Sequence, residues 1–176
     1  MKNKIISMKF SFILIVIFML MQSLSVQSQT YYYIDPEGAD DIGDGTIGNP
    51  WKTLSKACNS VTTSGDIIHV NAGTYYETSQ CILAVGVSIE GVGTSSNITT
   101  NYVPGGSYWL GGMLYLQSGT ENTNGNQSIH DLKFDGLSLA SQCAIAVGCR
   151  GHVNIYNCTF VNFLQEAVIF YGGISS

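Results

Sequence analysis

The sequence predicts an all-β fold, a right-handed parallel β-helix with an N-terminal capping α-helix, in which short strands wind into stacked coils. The main observation is an internal repeat: Ser128 to Leu137 (SIHDLKFDGL) and Asn154 to Phe163 (NIYNCTFVNF) match position for position. Apolar and polar residues alternate in both segments, which is typical of strands and not of helices. A repeat built from short strands indicates coils that bury their inner faces on one another.

Each segment of the repeat changes phase once, which predicts a corner between two strands. The change falls at Asp131 in the first segment and at Asn157 in the second, each time between apolar residues. Aspartate and asparagine tolerate the left-handed backbone, so one such residue bends a strand without a loop. Two short apolar strands, Cys143 to Gly148 and Ala167 to Gly172, follow the two segments and complete each coil.

A β-sandwich or barrel is the alternative interpretation of these strands. It is disfavoured because such folds return through hairpins, and the two-residue hairpin signals are missing from the sequence. The other predicted strands are Ile67 to Val70, Ile82 to Glu90, Asn97 to Thr100 and Met113 to Gln117. The polar segment Ser118 to Gln127 is predicted to be a solvent-exposed turn.

Residues 1–28 predict a secretory signal peptide. Lysines precede an apolar run from Phe10 to Met21, and small residues follow at the positions that cleavage requires. A membrane anchor is the alternative, but the run is too short to span a bilayer. We therefore expect a protein that is secreted or at the cell surface, with no membrane contact after signal cleavage.

Two further regions follow the signal peptide. Residues 29–66 are predicted to form a strand, an acidic loop and a helix that Asn49 and Pro50 open. An apolar stripe from Trp51 to Val61 indicates that this helix caps the stack. Residues 67–176 are predicted to be the first coils of a β-helix that is truncated at Ser176. We expect its open end to stack on further coils or on a second copy of the chain.

Charge and cysteine content limit the partners. The formal net charge is −5, and residues 1–28 include three of the few cations, so the exported chain is more acidic still. Such a surface argues against nucleic acid and anionic membranes as partners. The cysteines number 5, so at least one is unpaired within the chain. Pairing of Cys58 with Cys81 stays open, and Cys158 is predicted to be a buried apolar residue.

The N-terminal region resembles a known family. The pattern YYYIDPEGADDIGDGTIGNPWKTLSKA, followed by GDIIHVNAGTYYE, resembles the N-terminal module of secreted bacterial β-helix proteins of the pectate-lyase-like superfamily. The resemblance is close over Tyr31 to Glu77 and rests on the coil pattern elsewhere. It implies a β-helix fold and an extracellular polysaccharide as partner, but the superfamily contains lyases, hydrolases, adhesins and proteins without known activity.

The resemblance also implies where chemistry would lie, along the outward face of one sheet. On the matched strands the outward residues carry no charge, so we assign no catalytic residue and expect any catalytic part beyond Ser176. The outward residues are Tyr115, Gln117, Ala146, Gly148, Ile169 and Tyr171.

Weaker candidates remain for binding. The predicted carbohydrate contacts are Tyr115, Tyr171, Asp131, Lys133 and Asp135, and a solvated polar face is the alternative for the charged three. The loop acids Asp35, Asp40, Asp41 and Asp44 are a weak calcium candidate, since calcium prefers oxygen ligands on flexible loops, although the pattern is not an EF-hand.

The isolated cationic and imidazole side chains are predicted to have no functional role. His69, His130 and His152 share no spacing and are expected to be ordinary strand histidines, and Arg150 is expected to be a surface charge. The sequence thus favours an exported β-helix protein that acts on or binds polysaccharide, with a non-catalytic adhesin or structural scaffold as the alternative.

Overall fold

The computed structural model describes residues 28–103, 112–139 and 143–172, and it places them in parallel β-sheets with one short α-helix among them. The predicted signal peptide lies outside the described residues except for Ser28. The strands are β1 Tyr31–Ile34, β2 Ile67–Val70, β3 Gly73–Glu77, β4 Cys81–Ile82, β5 Ser88–Glu90, β6 Ser96–Thr100, β7 Gly112–Gln117, β8 Thr123–His130, β9 Lys133–Asp135, β10 Cys143–Gly148, β11 Arg150–Tyr156, β12 Thr159–Val161 and β13 Val168–Tyr171, and helix α1 is Leu54–Ser60.

The chain visits three sheets in turn. Sheet A has the strand order β1-β2-β5-β8-β11, sheet B has β4-β7-β10-β13, and sheet C has β3-β6-β9-β12. From β2 onward each sheet takes every third strand, and the paired strands are parallel. Parallel neighbours are joined through strands of the other sheets and not by hairpins. The described residues therefore form a mainly β protein with parallel sheets, as the repeat predicted.

The core lies between the three sheets and follows the predicted repeat. Ile129 pairs with Ile155 in sheet A, and Phe134 pairs with Phe160 in sheet C. The two phenylalanine rings stack with their centroids 5.4 Å apart. Burial of each such side chain contributes about 1.5 to 3 kcal/mol, so the stacked inner positions are the main source of stability.

Both predicted corners are confirmed. Asp131 has φ of 57° where the chain turns from β8 into β9, and Asn157 has φ of 51° where it turns from β11 into β12. Each corner lets the chain leave sheet A and enter sheet C within two residues. The left-handed backbone explains why an acid or an amide occupies the position.

Two predicted segments differ from the structure. The single strand predicted from Ile82 to Glu90 is wrong, because a turn through Gly86, which has φ of 80°, separates β4 from β5. The predicted polar turn is shorter than expected, since β8 begins at Thr123. Gln127 belongs to that strand and is buried, with its amide group donating to Val87 O at 2.7 Å.

The capping helix begins later than the sequence predicted. Its N-cap is Thr53, whose hydroxyl accepts from Lys56 N, whereas Asn49 donates its side-chain amide to Ile42 O. Trp51 precedes the helix and packs against Gly45, where a Cβ would lie 2.6 Å from the indole ring. The DGT segment and Trp51 therefore form one packed unit that positions the helix.

A buried acid completes the helix N-terminus. Glu77 is 1 % exposed, and its carboxyl group accepts from Leu54 N at 2.8 Å and from Ser55 N at 3.0 Å. Burial raises the pKa of Glu77, and the two backbone N–H groups act in the opposite direction. The first backbone N–H groups of a helix have no intrahelical acceptors. Here the carboxyl group of Glu77, at the end of β3, accepts from two of them.

Arg150 is not a surface charge, in contrast to the expectation from sequence. It is 7 % exposed, and its guanidinium donates to Ser118 Oγ, to Gln127 Oε1 and to the backbone oxygens of Leu83, Ala84 and Gln117. Burial lowers the pKa of Arg150. Because its acceptors come from the turn after β4, the end of β7 and β8, this one side chain of β11 joins sheet A to sheet B.

The described cysteines are free thiols, so the Cys58–Cys81 pairing is not formed. Both are buried, Cys58 on α1 and Cys81 on β4, and burial raises the pKa of each thiol. The Cys81 thiol donates to the carboxyl group of Glu77 at 3.6 Å. Cys158 is half-buried and packs against the core, in partial agreement with its predicted apolar role.

The two ends of the stack differ. Helix α1 packs against β1, β3 and β4 at one end of the sheets, whereas β11, β12 and β13 have no further strand beside them in the described part of the chain. A groove of about 800 Å³ lies at this open end and includes Phe160, Val168 and Phe170 in its lining. Phe170 is 61 % exposed, although the inward residue Val147 of the neighbouring strand is 1 % exposed.

Candidate functional site

The two predicted contact tyrosines lie together on the outward face of sheet B. The Tyr171 hydroxyl lies 2.9 Å from that of Tyr115 and 2.7 Å from Gln117 Oε1. Gly148 makes room for them, since a Cβ there would approach Gln117 Oε1 to 2.0 Å. Burial raises the pKa of Tyr171, and the hydrogen bond with Tyr115 adds to this effect. Because the two hydroxyls are hydrogen-bonded to each other, this cluster offers few donors and acceptors to a sugar.

The centre of the same outward face is apolar. Ala146 and Ile169, both predicted to point outward, are buried and form a second cluster with Cys143. This outward face therefore does not present the row of exposed polar side chains that a sugar-binding groove needs.

The predicted charged contacts occupy two separate places. Asp131 lies at the corner after sheet A, where its Oδ2 is 2.7 Å from Nδ1 of His130. Asp135 lies in sheet C, where it accepts from the side-chain amide of Asn162 and lies 3.7 Å from Nζ of Lys133. The structure thus pairs Lys133 with Asp135 and places Asp131 in a different environment.

The acids of the N-terminal loop accept hydrogen bonds from nearby backbone and side-chain groups. Asp40 accepts from Lys52 N, Thr53 N and the Thr53 hydroxyl, and Asp35 accepts from Glu37 N and the side chain of Asn71. Asp44 accepts from Thr46 N and Oγ1, which lowers its pKa, and Asp41 is exposed. These bonds fix the loop against the start of α1.

Neither a metal cluster nor a membrane helix is found in the described ranges. Nowhere in residues 28–103, 112–139 and 143–172 do three or more His, Cys, Asp or Glu side chains gather so that they could share a metal ion. The loop acids Asp35, Asp40, Asp41 and Asp44 do not form such a group within these ranges. The same ranges contain no helix with the length and hydropathy to cross a membrane.

The outward face of sheet A presents a row of polar and aromatic side chains that the sequence analysis missed. The strand register aligns one residue from each of the five strands in this sheet. We call this set the Tyr–His row, and it consists of Tyr33, His69, Glu90, His130 and Tyr156.

Side chains in the row contact their neighbours. The rings of Tyr33 and His69 are 5.4 Å apart, and Nδ1 of His69 lies 2.8 Å from Oε1 of Glu90. The rings of His130 and Tyr156 stack at 4.6 Å with an interplanar angle of 9°. The row is therefore an ordered surface, partly exposed along its length, with Tyr156 46 % exposed at its end.

Asp131 extends the row at the corner of the sheet. The hydrogen bond with His130 lowers the pKa of Asp131, and a hydrogen bond from Asn157 acts in the same direction. Two imidazoles, His69 and His130, thus each have Nδ1 on a carboxylate. Such pairing fixes the ring orientation and sets which nitrogen is available to a ligand.

The signal for this row was present in the sequence, in the residues that follow the inward isoleucines of sheet A. His69, Glu90, His130 and Tyr156 each come directly after an isoleucine, and these isoleucines are Ile68, Ile89, Ile129 and Ile155. Considered one at a time, the histidines share no spacing, because the turns between the strands differ in length. The alignment becomes visible only when the strand register is known.

Together, the sheets and the row define a class: a mainly β protein of parallel sheets that presents a tyrosine, histidine and carboxylate surface on one of them. No family model, no curated protein and no solved structure matches the chain.

Proposed function

We propose that this chain is an exported right-handed parallel β-helix protein that binds an extracellular polysaccharide through the Tyr–His row. The three-sheet order and the one-residue corners at Asp131 and Asn157 support the β-helix. The composition of residues 1–28 supports export. The observation that carries the binding function is the alignment of Tyr33, His69, Glu90, His130 and Tyr156 across sheet A.

The side chains of the row suit a sugar ligand. Tyrosine combines an apolar ring with a hydrogen-bonding tip, and imidazole and carboxylate groups bond to hydroxyls. Tyr156 stacks one ring face on His130 and belongs to the last strand of sheet A, so its other face is turned toward the open end. That face offers an apolar platform to the C–H side of a sugar ring.

Alanine at Tyr156 is expected to weaken polysaccharide binding at least about tenfold, because the platform and its stacked neighbour act together. Affinity electrophoresis over a panel of neutral and acidic polysaccharides measures the change. Tyr76→Ala is the matched control, since Tyr76 is 68 % exposed on β3 of sheet C and should leave binding unchanged. Equal binding by wild type and Tyr156→Ala would show that the row is not the site.

The same panel separates binding from cleavage. We expect no release of reducing ends or unsaturated uronates, because glycosidic cleavage needs proton-carrying groups on both sides of the linkage, and the row lies on one face of a single sheet. Release of product that His130→Ala abolishes would instead show an enzyme that uses the imidazole beside Asp131.

We also propose that the open end of the stack binds a second copy of the chain, and because Tyr156 lines the groove at this end, such binding competes with the sugar for the outer face of its ring. Three sheet edges that are unpaired within the described residues, together with exposed apolar side chains, favour association. Light scattering should show oligomers of the wild type at micromolar concentration, and Phe170→Lys should shift them to monomers. Leu164→Lys is the control, because Leu164 is also 61 % exposed but does not line the groove. A monomeric wild type would contradict the proposal.

A further inference from the structure

The geometry of the Tyr–His row restricts the shape of its ligand. The row crosses a 5-stranded sheet, and its members are aligned by register. Neighbouring strands are about 4.8 Å apart, so Tyr33 and Tyr156 lie about 19 Å apart along the stack. A ligand that contacts the whole row is therefore extended and runs across the strands.

The charges of the row restrict the ligand further. Glu90 and Asp131 are its carboxylates, and each is hydrogen-bonded to a histidine. Within the described residues, neither forms an ion pair with a lysine or arginine. Lys133 instead pairs with Asp135 in sheet C, and the donors of Arg150 are used by buried oxygens. The row thus offers acceptors and no free cation.

These features discriminate between two classes of polysaccharide. A uronate polymer would bring a carboxylate on each sugar close to Glu90 and Asp131, and like charges without a cation between them repel. Hydroxyl groups of a neutral sugar can donate to these carboxylates and to the imidazole nitrogens that the carboxylates leave open, and they can accept from tyrosine O–H groups. The overall acidic charge of the chain, −5, acts in the same direction.

We propose that the Tyr–His row selects extended neutral polysaccharides over uronate polymers, and that Glu90 and Asp131 set this preference. The inference rests on the proposed function, because it concerns the same row. The ligand is then uncharged, and the carboxylates of Glu90 and Asp131 exclude uronate polymers. Binding of a neutral polymer is then insensitive to salt, since no ion pair with the ligand is formed.

The test compares dissociation constants for neutral polymers (a soluble glucan, a mannan and a xylan) with those for polygalacturonate and alginate. At least one neutral polymer should bind the purified protein at least about tenfold more tightly than either acidic polymer. Glu90→Gln together with Asp131→Asn should tighten binding of the acidic polymers. Glu37→Gln together with Asp41→Asn is the control, since it makes the same change of net charge at exposed loop acids outside the row.

Each outcome has a distinct meaning. Acidic polymers that bind as tightly as neutral ones, and that Tyr156→Ala weakens, would overturn the selectivity while leaving the proposed function intact. An equal gain of acidic-polymer binding in the Glu37 and Asp41 control would assign the effect to net charge and overturn the roles of Glu90 and Asp131. Failure of every polymer to bind would overturn the proposed function itself. Circular dichroism checks the fold of each variant, and Glu90→Gln alone replaces the double variant if that one is unfolded.

Discussion

Replacement of Arg150 by methionine is expected to lower the free energy of unfolding by about 3 kcal/mol, the upper end of the cost of leaving buried acceptors unsatisfied. Methionine fills similar space but donates no hydrogen bond. The oxygens of Leu83, Ala84 and Gln117 would lose a buried donor, which costs free energy because water does not reach them easily. Urea unfolding followed by circular dichroism measures the loss.

Two further variants test whether the network is responsible. Arg150→Lys keeps the charge but has its three donors on one atom. We therefore expect its stability to lie between those of the wild type and Arg150→Met. Lys133→Met is the control, because Lys133 is partly exposed and its 3.7 Å ion pair with Asp135 contributes little. Near-equal unfolding midpoints for Arg150→Met and Lys133→Met would refute the proposed joining role.

Replacement of Glu77 by alanine is expected to lower the free energy of unfolding by about 2 to 3 kcal/mol, because it leaves the N–H groups of Leu54 and Ser55 without acceptors away from solvent. The loss should be seen at α1 first, since Glu77 holds the helix against β3. Hydrogen exchange at Leu54 and Ser55 measures this local effect. Glu37→Gln, at an exposed acid, should leave both exchange and stability unchanged.

The stabilising effect of Glu77 should depend on pH in a defined direction. Burial raises its pKa in the folded protein above the ordinary value of 4.5. Its contribution is therefore fully present below the unfolded-state pKa and decreases as pH rises through the folded-state pKa. The stability difference between wild type and Glu77→Ala should shrink with rising pH. A difference that grows with pH would show that the two backbone hydrogen bonds outweigh burial.

Helix α1 shows that a local sequence pattern can predict a helix without predicting the residue at which it begins. An apolar stripe predicted the capping helix, and Leu54, Ala57 and Val61 are indeed buried. The predicted start at Asn49 was wrong because Thr53 is the N-cap, and two remote acids supply further acceptors at this helix end. Asp40 accepts from the backbone of Thr53, and Glu77 accepts from the next two residues. The sequence of the helix itself does not indicate that Asp40 and Glu77 are hydrogen-bond partners of its first residues.

Arg150 shows the same limit for a single charge. A lone arginine at a strand end is usually a surface residue, which is why the sequence favoured that interpretation. Its burial depends on oxygens of Leu83, Ala84 and Gln117, which the packing of the parallel sheets brings together. Calcium binding by the acidic loop rested on composition alone, and the structure uses Asp35, Asp40 and Asp44 for loop and cap hydrogen bonds instead.

The sequence by itself determined the repeated strands, their alternation and the two corners, because these depend on side-chain period and on the backbone tolerance of Asp131 and Asn157. Only the tertiary structure decided which polar residues share a surface. Parallel pairing aligns His69, Glu90 and His130 although turns of unequal length separate them in the chain. Register is a property of strand pairs, so a site made across strands has no signature in any one of them.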